Sequence, residues 1–300
     1  MSLAATVIAE RDAPPARPAT QRRRWSWLGL VPFFLFCALF LGVPLAFLAI
    51  GSFLDPAGNA TLQNYADLSD ARILAAFRNS IEISLVTAIV GGLFGFALAG
   101  AVILGGLPRF LRSTLMTFSG VASNFAGIPL ALAFTFTLGQ LGMVTVILKD
   151  FGIDIWANGF NLYSKLGLEL VYLFFQFPLM VLIIAPAIDG LRKDWREAAE
   201  GMGASSFQYW RHVALPILMP SLLGTVILLF GNAFGAQATA FQLSGGAINI
   251  VTIAISRQIR GDVANDPGIG YAMAIGMVVI MAVSIGAYTI LQRRAERWLR

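Results

Sequence analysis

Residues that carry chemistry in enzymes are scarce in this sequence of 300 residues. The only histidine, His212, stands in a polar segment, and the only cysteine, Cys37, stands in an apolar run and has no disulfide partner. A protease inside a membrane needs a nucleophile with a histidine base, or paired aspartates. Asp189, the only aspartate within an apolar segment, lies at the segment's edge and is expected to have no partner. The sequence therefore predicts that the chain is not an enzyme.

Cofactor chemistry is equally sparse. The sequence contains no His/Cys spacing suited to a metal and no Gly-x-x-x-x-Gly-Lys phosphate loop. We therefore expect no metal site and no cofactor bound by this chain, and we expect it not to hydrolyse ATP itself.

One polar segment, residues 192–220, carries a clear pattern, and we call it the elbow. Four of its residues share one helical face at i, i+3, i+4 and i+7: Trp195, Ala198, Ala199 and Met202. Gly203 is expected to end this helix, because glycine readily takes a left-handed conformation. A second helical pattern follows. Pro216 is expected to stop its hydrogen bonding, and Pro220 to begin the next apolar helix.

The elements around the elbow are membrane spans. A mean hydropathy of +0.75, with 57% hydrophobic and 12% charged residues, places the chain among multi-span membrane proteins. A span needs about 20 apolar residues, and six segments qualify. We predict spans at Trp27–Phe53, Asn79–Leu104, Thr114–Leu138, Leu166–Gly190, Ser221–Leu243 and Gly268–Leu291.

Domain organisation and orientation follow from composition. Residues 1–24 are rich in Ala, Pro and Arg and predict a disordered tail, and residues 25–300 predict a single all-α membrane domain. If both termini are cytoplasmic, 15 Lys and Arg residues lie inside and 6 outside. This bias favours cytoplasmic termini and a cytoplasmic elbow, and we draw no nucleic-acid inference from the positive charge.

The elbow resembles the EAA loop of the permease subunits of ABC-type importers. The resemblance rests on Glu197-Ala198-Ala199, then Gly203-Ala204, then Leu215-Pro216 in the matching register between two spans. It covers about residues 77–290. It implies the six-span type I importer fold, with cytoplasmic coupling helices, in a bacterial inner (plasma) membrane.

The resemblance also implies partners. These are a second permease, identical or related, cytoplasmic ATPase subunits that hold ATP and Mg²⁺, a periplasmic or lipid-anchored solute-binding protein, and membrane lipids. In that family Glu197 would make the elbow's polar contact, Ala198 and Ala199 its close packing, and Gly203 its bend. Leu215 and Pro216 would anchor the second helix.

Two other interpretations remain open at this point. The elbow can be an amphipathic helix at the membrane surface, as in many membrane proteins. The chain can also be a secondary transporter or channel driven by an ion gradient, although such proteins usually show deep acids or an inverted repeat. The elbow discriminates between the classes, because an ion-driven carrier has no use for it.

Polar residues in the spans are candidates for the translocation path. Asn124 precedes Gly127 and Pro129 in the third span, and Gln176 precedes Pro178 in the fourth. A proline within a span leaves carbonyls that need partners from neighbouring helices or a wet cavity.

A stripe of small and polar residues marks the fifth span. Its members fall within an arc of about 120° at 100° per residue; they are Ser221, Gly224, Thr225, Gly231, Asn232, Gly235, Thr239 and Gln242. The stripe either packs against protein, as at a seam between two permeases, or lines the path. Asn232, Gly235 and Thr239 are the path candidates.

Charges near the predicted outer face leave further alternatives. Glu82 and Glu169 are either interfacial charges or the lining of a mouth that attracts a cation. Arg257, Arg260 and Asp262 either contact a binding protein or form a solvated run. The elbow's Gly-Met-Gly-Ala-Ser resembles the polyamine, phosphonate, iron and oxyanion group of these permeases. The two glutamates favour a cation such as a polyamine as the expected solute.

Overall fold

A computed structural model of the protein describes residues 29–260 and 266–297, so the predicted tail 1–24 lies outside the described residues. Helices make up all the regular elements of the described ranges. Six helical segments are long and apolar enough to cross a membrane, which confirms the predicted number of spans. They are Val31–Gly51, Ala71–Leu104, Gly127–Asp150, Lys165–Asp189, Ser206–Gly235 and Pro267–Arg293.

We number the helices along the chain. They are α1 (Val31–Gly51), α2 (Ala71–Leu104), α3 (Arg109–Asn124), α4 (Gly127–Leu138), α5 (Met143–Asp150), α6 (Lys165–Asp189), α7 (Lys193–Gly201), α8 (Ser206–Gly235), α9 (Ala238–Ser244), α10 (Val251–Arg260) and α11 (Pro267–Arg297). Short turns of helix at Gln63–Ala66 and Asp67–Ser69 precede α2.

The chain divides between Phe47 and Leu48 into two compact units. In the first unit, the described residues form most of α1, which contains a π-helical turn at Ala38–Gly42. Its phenylalanines are largely exposed, and Phe36 stacks on Phe40 with ring centroids 4.7 Å apart. Such an apolar surface suits acyl chains.

In the second unit, α2 and α6 pack closely. A Cβ atom placed on Gly95 would lie 2.5 Å from Cβ of Met180 and 2.7 Å from the carbonyl oxygen of Phe177. One on Gly91 would lie 2.9 Å from Cβ of Gln176. Small residues let helix backbones approach in membranes, where lipid gives little hydrophobic drive to association. The two glycines therefore fix the α2–α6 contact.

Two apolar clusters are buried among the spans, and a third lies in the elbow. One is built around Met180, Ile184 and Leu229 of α6 and α8. The other includes Leu130 and Tyr172, at the start of α4 and within the first two turns of α6. We call the end of the helices opposite the elbow the outer end.

The predicted third span is wrong as a single helix. The segment Thr114–Leu138 is interrupted between α3 and α4, where Ala126 is extended and Gly127 has φ of +74°. The apolar segment of spanning length starts instead at Gly127 and continues through α5. The broken ends are tolerated because neighbouring groups satisfy the freed backbone atoms.

The predicted boundaries of the fifth span are also wrong. α8 begins in the elbow at Ser206, runs past Pro216 and Pro220, and ends at Gly235. A π-helical turn at Trp210–Ala214 precedes Pro216. Proline has no N–H to donate and its ring crowds the preceding turn, and the wider π turn accommodates both effects. Beyond Gly235 the helix breaks, so α9 does not continue the predicted arc.

Candidate functional site

The elbow forms the predicted helix–glycine–helix unit. α7 ends at Met202–Gly203, where Gly203 has φ of +80° and the Ala204 N–H donates to the Ala199 carbonyl at 3.0 Å. This left-handed glycine and its hydrogen bond are the usual C-terminal signature of a helix. Gly203 therefore makes the bend.

A capping box, which was not predicted from the sequence, starts the second elbow helix. The Ser205 N–H donates to Oε1 of Gln208 at 2.7 Å, and the Gln208 N–H donates to Oγ of Ser205 at 3.3 Å. The spacing Ser-x-x-Gln is the sequence signal that would have identified it. Together with Gly203, it fixes the angle between α7 and α8.

The two alanines of the elbow differ in environment. Ala199 is buried and packs inside the elbow against Tyr209 and Ala214. Its small side chain therefore lets α7 lie against α8 within the chain, whereas the predicted role of Ala199 was close packing against a partner. Ala198 is exposed and available to another molecule.

The exposed surface of the elbow includes large apolar side chains. Met202 is 82% exposed and Phe207 is 71% exposed, while Trp195 is less so, at 36%. Glu197 is exposed and lines a cleft of about 440 Å³ between the elbow and the end of α2. Among the other elbow residues, Pro216 is exposed, and Leu215 and Ala204 are half-buried.

One charged pair lies in the elbow, and another lies at the adjoining end of α6. Nε of Arg196 donates to Oε1 of Glu200 at 2.8 Å, and this hydrogen bond raises the pKa of Arg196. At the elbow end of α6, Asp189 forms an ion pair with Arg112 of α3. The expectation that Asp189 has no partner was wrong, because α3, which sequence alone did not place beside α6, brings Arg112 to it.

Among the path candidates, Gln176 is fully buried. Its Nε2 donates to the Leu229 carbonyl of α8 at 2.8 Å, and its Oε1 accepts from Nδ2 of Asn232 at 3.5 Å. Buried amides in a membrane need such partners, because lipid offers none. Gln176 therefore ties α6 to α8 and orients Asn232, which is itself exposed.

The two helix breaks meet at one place. The Gly127 N–H at the start of α4 donates to Oγ1 of Thr239 in α9 at 2.8 Å. The hydroxyl of Tyr172 donates to the carbonyl of Ala236, just beyond α8, at 2.5 Å. A cleft of about 430 Å³ opens there, and we call it the inner cleft. Its polar lining includes Ser123, Asn232, Gln237 and Thr239.

The fifth-span stripe divides into two parts. A Cβ on Gly224 would lie 2.8 Å from the Tyr288 hydroxyl, and one on Gly231 would lie 2.5 Å from Cε of Met281. These two glycines face α11, although Gly231 also borders the inner cleft. Asn232 and Gly235 line the inner cleft. Within this chain the stripe therefore both packs against α11 and borders a cavity, and Gly231 does both.

Three more path candidates, like Gln176, are not among the residues that line the inner cleft. Asn124 donates from Nδ2 to the Gly120 carbonyl at 2.9 Å, at the end of its own helix. Glu82 pairs with Lys165, with Oε2 and Nζ 2.5 Å apart. Glu169 is half-buried, one turn beyond Lys165 on α6. The charge of Glu82 is therefore compensated within the chain.

A second cleft, of about 560 Å³, borders the inner cleft, and we call it the outer cleft. The two clefts share Gln237 and Ala238 as lining residues. Arg257 and Arg260 of α10 also line the outer cleft, whereas Asp262 lies outside the described residues. Gln237 is not among the path candidates predicted from the sequence, because that prediction treats Ser221–Leu243 as one unbroken helix.

Comparison with known proteins decides the family. Residues 91–297 match the family described as binding-protein-dependent transport system inner membrane components. The chain belongs to this family. It is the permease component of a binding-protein-dependent ABC importer and a multi-pass inner-membrane protein.

Relatives and a solved structure agree with this assignment. The permease is 26% identical over 213 residues to the sulfate transport system permease protein CysT of Salmonella typhimurium, covering 70% of this chain and 72% of that protein. It is 25% identical over 240 residues to the spermidine/putrescine transport system permease protein PotB of Haemophilus influenzae, covering 79% and 82%. A chain of a bacterial ABC transporter involved in alginate import shares the fold, with a TM-score of 0.70, 18% identity and coverage of 89% and 94%.

These findings resolve several of the predictions. The fold class and the importer function are confirmed, and the family is a transport component, not an enzyme. The ion-gradient-driven alternative does not apply to this chain, since the family depends on binding proteins.

Proposed function

We propose that the elbow is the surface through which this permease engages a cytoplasmic ATPase subunit, and that the permease works as a pair with a second, identical or related, permease. The observation that carries the proposal is the exposed apolar face, with Met202 and Phe207 more than two-thirds exposed beside charged Glu197. A mixed apolar and charged surface on a polar loop is suited to a protein partner.

The orientation inferred from the Lys and Arg bias puts this surface in the cytoplasm, where an ATPase would meet it. ATP and Mg²⁺ would be held by the ATPase, since this chain has no phosphate loop. The family depends on a binding protein, and we place the approach of that protein at the outer end.

The continuity of α8 supplies the coupling mechanism. This helix has 30 residues, a length of about 45 Å at 1.5 Å per residue. It starts in the elbow and ends with Asn232 and Gly235 at the inner cleft. Closure of the ATPase pair on ATP binding would move the elbow, and a continuous helix would carry that displacement to the inner cleft.

The solute is proposed to be small and taken from one of two classes, an oxyanion as for CysT or a polyamine as for PotB. Apart from Phe175 and several alanines and glycines, the inner cleft presents uncharged amides and hydroxyls. Such groups hydrogen-bond solutes of either charge, so selection would rest largely on the binding protein.

A pull-down combined with site-specific crosslinking tests the ATPase contact. A photo-crosslinking amino acid replaces Phe207, which is 71% exposed on the elbow, and a matched one replaces exposed Asn158 of the outer loop. Crosslinks to an ATP-binding subunit from position 207 alone, identified by mass spectrometry, are the expected result. Equal crosslinking from both positions, or recovery of the permease without any ATPase, would contradict the proposal.

A further inference from the structure

We propose that the outer cleft is an anion-binding vestibule and that the solute carried by this permease is a small oxyanion. The inference rests on the proposed function and specifies its solute. The first observation is that one face of α10 lines the cleft. Four residues at i, i+3, i+4 and i+7 form this face: Ile253, Ser256, Arg257 and Arg260.

The charge of this vestibule has one sign. Arg257 and Arg260 contribute two guanidinium groups, and none of the described residues that line the cleft is acidic. Arg257 donates one Nη2 hydrogen to the carbonyl of Gly246, which positions its side chain and leaves further N–H donors. The planar fork of a guanidinium can donate two parallel hydrogen bonds to the oxygens of an oxyanion.

Neutral donors complete the site. Gln237, Gln242 and Ser256 supply amide and hydroxyl groups to the lining. Ile128, in the first turn of α4, also lines the cleft. The N-terminus of this 12-residue helix, which is the positive end of its dipole, therefore lies beside the outer cleft. Half-helices at breaks in transporters present such ends to anionic groups.

Two of the described acidic residues have partners elsewhere. Glu82 is paired with Lys165. Oδ1 of Asp266 accepts the N–H groups of Gly268 at 3.0 Å and Ile269 at 3.4 Å at the start of α11. The sequence-based tilt toward a polyamine relied on Glu82 and Glu169, neither of which lines the inner or the outer cleft.

The vestibule leads to the path. Gln237 and Ala238 border both clefts, so an anion released by the arginine pair needs to pass only the break between α8 and α9 to meet Asn232. The arginines thus concentrate the anion at the entrance, and the uncharged inner cleft avoids holding it too tightly to release.

Local electrostatic potential can be measured without knowing the natural solute. In a Cys37→Ser background, Ser256→Cys places the only thiol in the outer cleft. We measure how fast this thiol reacts with two methanethiosulfonates, the anionic 2-sulfonatoethyl and the cationic 2-(trimethylammonium)ethyl reagents. The measurement uses right-side-out membrane vesicles that hold the complete importer. The same rates at Asn158→Cys, on the exposed outer loop, normalise the intrinsic reactivity of the two reagents.

We expect the normalised ratio to favour the anionic reagent by about tenfold, from two like charges within the cleft. Arg260→Gln should reduce this preference severalfold, while Arg260→Lys and the charge-matched control Lys149→Gln should retain it. Sulfate or phosphate should slow modification of Cys at position 256 more than chloride at equal ionic strength, and spermidine should not.

Equal normalised rates, an unreactive thiol, protection by spermidine, or no protection by either oxyanion would overturn the inference. Co-purification of the ATPase is measured on the same Ser256→Cys preparation. If the ATPase co-purifies but position 256 shows no preference for the anionic reagent, only the vestibule proposal is contradicted. If the ATPase does not co-purify, the proposed function is contradicted.

Discussion

Gly203 offers the sharpest test of the elbow, because a neighbouring glycine provides a matched control. Gly203 and Gly201 both lie in open space, with no heavy atom within 4 Å of a Cβ placed on either. They differ in backbone conformation, since Gly203 has φ of +80° and Gly201 closes the regular helix α7. A difference in ATPase binding between Gly203→Ala and Gly201→Ala would therefore arise from backbone strain, because neither new methyl group meets a neighbouring atom.

The magnitude follows from that strain. A left-handed conformation costs an alanine about 1–2 kcal/mol, which lowers the population of correctly bent elbows about 5- to 30-fold. Gly203→Val should cost more, up to about 3 kcal/mol. Gly201→Ala should preserve or improve the helix, since alanine is favoured over glycine by about 1 kcal/mol in helix interiors. Gly203→Asn should recover much of the loss, because asparagine tolerates φ above zero.

The assay is the affinity of the purified permease, in detergent, for its ATPase subunit, with solute uptake measured in parallel. Membrane insertion and the thermal midpoint of the transmembrane helices serve as controls and should be unchanged in all four variants. Equal losses in Gly203→Ala and Gly201→Ala, or full binding by Gly203→Val, would refute the argument that the bend presents the docking surface.

Three further predictions concern named contacts. Ala198→Leu should abolish ATPase co-purification and leave the thermal midpoint of the permease unchanged. Ala199→Leu should destabilise the elbow by about 1–3 kcal/mol through overpacking. Equal thermal midpoints for the two variants would contradict this prediction. Gln176→Leu should cost only about 0.6–1.7 kcal/mol in thermal stability yet reduce uptake markedly, because the amide at the inner cleft loses its partner. The Ala157 N–H and then Lys149 hold the pKa of Asp154 below its ordinary value of 3.8. The ionised Asp154 carboxylate therefore stabilises the fold above pH 3.8, and this stabilisation is lost as the pH falls through the lower pKa of the folded protein. The gap in thermal midpoint between the wild type and Asp154→Asn should close only in that acidic range.

Much of the fold was predictable because membranes impose a simple length rule. Six apolar segments of spanning length are visible in the sequence and present in the structure. The bend at Gly203 was predictable for a local reason, since a glycine after an amphipathic pattern commonly ends a helix.

The helix breaks were not predictable from local pattern. They depend on contacts across the bundle, such as the Gly127 N–H with Thr239 and the Tyr172 hydroxyl with the Ala236 carbonyl. Residues more than 60 positions apart in the chain supply these partners, and hydropathy carries no information about them. The continuity of α8 past Pro216 likewise depends on a π turn, which proline spacing alone does not reveal.

These unpredicted features connect the two proposed functional regions. Had Pro216 ended the elbow helix, motion of the elbow would have reached the membrane through a flexible joint. The π turn instead makes Ser206–Gly235 one element, whose far end is the break that separates the inner from the outer cleft. A displacement of the elbow would therefore act first on Asn232 and Gly235, and through Gln237 on the arginine-lined entrance. Coupling between ATP binding and anion release would then follow from the position of a single helix.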